Sequence, residues 1–108
     1  MTISNIHDVK EWFEVLQTTE RSQTAVMVLD AGGHSSEEMN THDKSDQVLL
    51  VIEGELQAEI GGKKRTMRRG DVCIVTAGTP HRFENKARSR AVTFNVYSPP
   101  EYPAGEKG

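Results

Sequence analysis

The sequence predicts an all-β protein, a sandwich or barrel of about eight short strands, and three observations predict it. Short apolar runs recur along the chain, several alternating strictly with polar residues, the period of a half-buried strand. Glycine-rich turns separate these runs, at Gly32-Gly33, Gly61-Gly62 and Gly70 among others. Only one segment, near the start, carries helical spacing. At 108 residues the chain has room for one domain with one core. That domain spans residues 1–108, with its barrel core at about 23–98 and an extended tail over 99–108.

The elements follow in order. Asp8 is placed to cap Val9–Leu16, where Val9, Trp12, Phe13 and Leu16 match a short amphipathic helix lying against the barrel or a partner. Ala25–Leu29 is a compact apolar strand ended by Asp30-Ala31-Gly32-Gly33. Val48–Ile52 is apolar at every position, which predicts burial on both faces and an inner strand. Leu56, Ala58 and Ile60 alternate with Glu55, Gln57 and Glu59, and Gly61-Gly62 suits a tight hairpin that requires positive φ. The return strand carries Lys63, Lys64, Arg65, Arg68 and Arg69; pairing across the hairpin with Glu55 and Glu59 accounts for this cluster more simply than polyanion binding. Val72–Val75 follows Gly70-Asp71, then His81, Phe83 and Asn85 alternate with Arg82 and Glu84, and Ala91–Tyr97 closes the set. The proline-rich tail from Ser98 cannot continue a sheet and is expected to be extended and frayed.

Composition excludes several function classes. Charged residues make up 27% and the formal net charge is -3, whereas nucleic acid or an anionic membrane surface would favour a basic excess. No apolar run approaches the roughly 20 residues of a membrane span, and the amino terminus lacks a secretory pattern. Cys73 is the only cysteine, so no internal disulfide forms; it reads as a small buried residue, and a reducing cytoplasm is the expected compartment.

The chemistry concentrates in two glycine-bounded segments. One runs from Asn40 through His42 and Gln47 to Gly54; the other from Gly70 through Gly78 and His81 to Asn85. The second reads Gly70, five residues, Thr76, Ala77, Gly78, Thr79-Pro80, His81, three residues, Asn85. It resembles the second motif of the cupin superfamily, small β-barrels of jelly-roll type, with Thr76 in the place of a proline. The first segment resembles that family's first motif, His-x-His, three or four residues, glutamate, six residues and glycine. Counting back from Gly54 puts Gln47 at the glutamate, His42 at the second histidine and Asn40 at the first. Asp46-Gln47 and Pro99-Pro100 are similar to features of some small cupins, so the glutamine reads as a subfamily trait. The resemblance covers about residues 25–98 and implies a double-stranded β-helix fold and a homodimer. It also implies a divalent transition metal (iron, manganese, nickel, copper or zinc) on His42, Gln47 and His81, with Asn40 a weaker fourth.

Strand alternation supports that site independently: Gln47, Leu49 and Val51 share one face, as do His81, Phe83 and Asn85. Leu49, Val51, Phe83 and Met39 are the candidate pocket-lining residues. An all-neutral donor set leaves a bound cation its full charge, which favours an anionic, oxygen-rich small molecule. The first functional expectation is therefore a metal-dependent enzyme of dioxygenase or isomerase type. Against it stand a non-catalytic metal- or ligand-binding module acting as a sensor, and a metal-free structural dimer.

Overall fold

The computed structural model describes residues 1–108. Its eight strands are β1 Phe13–Thr18, β2 Gln23–Leu29, β3 Asp46–Glu53, β4 Glu55–Ile60, β5 Lys63–Arg68, β6 Val72–Val75, β7 His81–Glu84 and β8 Ala91–Ser98. They form two sheets, one ordered β1-β2-β8-β3-β6 and one β5-β4-β7, and every strand pair is antiparallel. The all-β roll expected from the sequence is the fold observed.

Alternation decides what lies between the sheets. Gln47, Leu49 and Val51 of β3 and Ala91, Thr93, Asn95 and Tyr97 of β8 are buried, and they meet Leu56, Ala58 and Phe83 of the smaller sheet. The β4–β5 hairpin turns at Gly61 (φ 57°) and Gly62 (φ 82°), the two successive positive values that a primed turn needs. Its register sets Glu55 opposite Arg68, with Nε 3.7 Å from Oε2, and Glu59 opposite Lys64, so two of the basic residues face a carboxylate while Lys63 and Arg65 stand opposite Ile60 and Ala58.

Three expectations are corrected. The amphipathic helix over Val9–Leu16 is absent: a single 3-10 turn occupies Ile6–Asp8, and Phe13–Thr18 is an edge strand. Phe13 and Val15 point inward while Glu14 lies on the other side, and β2 supplies the hydrogen-bonding partner. Secondly, β3 is not buried on both faces. Val48, Leu50 and Ile52 are only half-buried, because they lie on the outer face of the large sheet. Thirdly, the tail is tied down. Val15 N–H donates to Glu106 O (2.8 Å), Gly108 N–H donates to Phe13 O (2.7 Å), and the Trp12 indole N–H donates to Gly108 O. The tail thus extends the large sheet past β1, a use of a free strand edge that its prolines did not announce. No helix is long and apolar enough to cross a membrane.

Candidate metal centre and ligand cavity

Three backbone hydrogen bonds bring the two histidines together. Asn40 N–H donates to His81 O (2.7 Å), His81 N–H returns to Asn40 O (2.8 Å), and Gly78 N–H donates to His42 O (2.7 Å). Gly78 sits at φ 81°, so the turn that presents its N–H needs a residue without a β-carbon. Asn40 and His81 exchange both bonds and therefore project to the same side of their bridge. The rings of His42 and His81 end up 4.7 Å apart, centroid to centroid, and both residues are buried.

Each imidazole is oriented through Nδ1. His81 Nδ1 lies 3.0 Å from Thr79 O, and since a carbonyl only accepts, the proton sits on Nδ1. His42 Nδ1 lies 3.2 Å from Glu101 Oε2, within ionic reach but not aligned as a hydrogen bond. Carboxylate and carbonyl contacts of this kind at one ring nitrogen are what fix metal-binding histidines, leaving Nε2 for the ion. Burial lowers the proton affinity of the His81 imidazole below its ordinary value; the Thr79 hydrogen bond and the Glu101 charge oppose that shift, and His42 adds to it. A neutral ring with a free lone pair is the result.

A buried relay orients Gln47. Met27 O can only accept, so the Thr93 hydroxyl donates to it (2.9 Å). Thr93 Oγ1 then accepts from Asn95 Nδ2 (3.0 Å), which turns Asn95 Oδ1 toward Gln47 Nε2 (3.0 Å). The chain of donors runs one way, and its end is the Gln47 carbonyl oxygen, buried and without a partner. A buried acceptor left unpaired costs about 1–3 kcal/mol, and a bound ion or ligand donor relieves that cost.

His42, Gln47, His81 and Asn40 all line one cavity of about 190 Å³, together with Phe83. Asn40 is the most exposed of the four donors. Leu49 and Val51 fill the core away from the cavity, and Met39, 40% exposed, stands outside it. Asn85 serves structure: its Nδ2 bonds Leu29 O and Ser89 O, both at 2.8 Å. Asp46 accepts from Ala77 N–H (2.9 Å) and caps the turn before β7. No group of three or more histidine, cysteine, aspartate or glutamate side chains is arranged to hold a metal; the polar side chains gathered in the cavity are two imidazoles and the amides of Gln47 and Asn40.

Sequence reasoning missed the aromatic wall and the tail. Tyr97 shares the inward parity of Ala91, Thr93 and Asn95, a signal present in the β8 pattern. Burial, first, and the neighbouring Tyr102 push its phenol well above the ordinary range; burial raises Tyr102 as well. Trp12, Tyr102 and Glu106 line the cavity because the tail folds back onto β1, and no local pattern signals that.

A two-sheet antiparallel roll with paired histidine turns beside an internal cavity defines a class of small jelly-roll β-barrels. Residues 25–97 match the family model described as Cupin domain, and the chain belongs to the cupin family. It is 25% identical over 72 residues to the quercetin 2,3-dioxygenase of Bacillus subtilis (strain 168), covering 66% of this chain and 21% of that protein. Over 42 residues it is 48% identical to the oryzines biosynthesis cluster protein J of Aspergillus oryzae, covering 38% of this chain and 23% of that one. The chain thus spans about a fifth to a quarter of the length of these curated relatives. Its fold is similar to that of a Bacillus halodurans protein of known structure, with a TM-score of 0.88 at 22% identity over 98% of this chain and 86% of that one.

Proposed function

We propose that this chain is a metal-binding cupin that acts on a small oxygen-rich molecule, as a metal-dependent enzyme of dioxygenase or isomerase type. One observation carries the reading. His81 engages Thr79 O through Nδ1, His42 Nδ1 lies against the Glu101 carboxylate without a hydrogen bond, and the oriented Gln47 oxygen, unpaired, lines the same cavity. His42 and His81 would hold the ion through Nε2 and Gln47 through Oε1, with Asn40 as a weaker donor. The similarity to a quercetin 2,3-dioxygenase supports a catalytic role.

A divalent transition metal on these donors would supply Lewis acidity toward a carbonyl or enol oxygen. The protein's own part is to position and to exclude water. The aromatic wall dries one side of the ligand, and the His81–Thr79 and His42–Glu101 contacts hold the rings still. Gln47 has no ionisable group, so a proton leaving the ligand is not taken up there.

The test is elemental analysis of protein purified without added metal, expected to find iron, manganese, nickel, copper or zinc up to one per chain. His81→Ala should strip that metal and leave the strand spectrum intact. Retention of metal by the His42→Ala/His81→Ala double variant would refute the ligand set. The second reading, a non-catalytic sensor module, is favoured by the neutral donor set, which binds ions more weakly than one with a carboxylate. It expects thermal stabilisation by ligand with no product formed.

We also propose that the chain pairs as a homodimer through the outer face of its large sheet, and that it works in the reducing cytoplasm, where the lone Cys73 stays a free thiol. The third reading, a structural dimer without metal, expects that pairing but no ion.

A further inference from the structure

The tail contributes more than cover. Glu14 and Lys107 stand opposite one another in the bridge between β1 and the tail. Directly opposed residues on antiparallel strands project to one side, and Glu14 projects away from buried Phe13 and Val15. By that parity Lys107 projects from the outer side of the tail and Glu106 from the inner side, and both residues border the cavity. Glu106 lines the cavity of His42, Gln47 and His81, and its carboxylate makes no salt bridge. It is close enough to Tyr102 for its charge to help keep that phenol protonated. Its backbone carbonyl is held by Val15 N–H, so the side chain is presented from a fixed strand and not from a free end.

Size and polarity then narrow the ligand. A cavity of about 150 Å³ accommodates benzene, so one of about 190 Å³ holds a single ring with one or two small substituents. Trp12, Phe13, Phe83 and Tyr97 offer a ring its apolar surface. The charged residues at the site are Glu106, on the cavity wall, Glu101, beside His42, and the exposed Lys107 at the rim, so the carboxylates outnumber the cation and both are more buried than it. A ligand carboxylate would meet like charge there, whereas a neutral hydroxyl would donate to it. This reverses the preference for an anion that the neutral metal-donor set alone implied.

We propose that Glu106 is a ligand-recognition residue that accepts a hydroxyl hydrogen bond from a small, neutral, single-ring hydroxylated compound. The inference deepens the reading above and rests on it only in placing the ligand in the same cavity. The experiment is calorimetric titration of metal-free protein with catechol and with benzoate. Catechol is expected to bind more tightly than benzoate. Glu106→Ala should weaken catechol about tenfold or more, the scale of a charge-assisted hydrogen bond. Glu106→Gln, which keeps an acceptor oxygen and the backbone bonds of the tail, should lose less catechol affinity and gain benzoate affinity. Absence of catechol binding, a preference for benzoate in the unmodified protein, or catechol affinity within twofold in Glu106→Ala would each overturn the proposal. Cobalt titration of the same proteins separates the two readings. Unmodified protein that binds no cobalt defeats the metal centre and leaves the metal-free comparison standing, whereas cobalt lost only in Glu106→Ala would make Glu106 a metal donor and defeat the role assigned here.

Discussion

Gln47 has to satisfy two neighbours at once: Asn95 Oδ1 needs a donor, and the cavity side offers room for an acceptor. Only an amide does both. Gln47→Glu should therefore tighten divalent metal binding by about tenfold or more through the added charge, and destabilise the metal-free protein by about 1–3 kcal/mol. The cost arises because Asn95 cannot turn its amide toward a carboxylate without losing its bond to Thr93, whose hydroxyl is already committed to Met27 O. Metal titration and urea unfolding read the two effects separately; unchanged metal affinity would count against Gln47 as a ligand. At this scale His42, Gln47 and His81 were legible from motif spacing, since each lies at a fixed count from a glycine. Glu101 and Glu106 were not. Their place depends on where a tail more than 50 residues from His42 comes to rest, and local spacing carries no record of that.

Individual elements show where local pattern fails. Val9, Trp12, Phe13 and Leu16 fit a helical period, yet Phe13 and Val15 fit a strand period equally well, and a run this short does not separate the two. The pairing with β2 decides, because its free edge takes up five residue pairs from Phe13↔Met27 to Thr18↔Gln23, with one irregularity between Val15 and Gln17. Turns were read more securely. Gly54 closes the first motif at φ 76°, and a β-carbon there would come within 2.4 Å of Arg90 O. Gly54→Ala should accordingly lower stability by about 2 kcal/mol or more, seen as a shift in the urea midpoint, because backbone strain and a backbone clash act together. A midpoint within error of the unmodified protein would show that the β3–β4 corner tolerates a side chain. The glycine was visible in the sequence; its contact with Arg90, across the sheet, was not.

For the molecule as a whole, the outer face of the large sheet is the open question of surface. Two cross-strand rows run over it, Ile74-Val48-Val96 and Val72-Leu50-Phe94, with no charged side chain in either. Val72 and Ile74 at the sheet edge are 62% and 61% exposed. An uncharged apolar patch is compatible with its own copy across a twofold axis, which argues for a homodimer as the occupant. Ile74→Asp would set a charge against its symmetry mate. The unmodified protein should sediment as a dimer at micromolar concentration and the variant as a monomer with an unchanged fold. A monomeric unmodified protein disposes of the interface.

Taken by itself, the amino-acid order determined the strand periodicity, the glycine turns and which imidazole and amide side chains are candidate donors, because these follow from residue spacing within about ten positions. Tertiary structure decided what those side chains face: the one-way relay behind Gln47, the carboxylate beside His42, and the tail that closes the cavity with Glu106. Such contacts join segments 48 to 96 residues apart, and only chain packing selects among the partners that each side chain accepts.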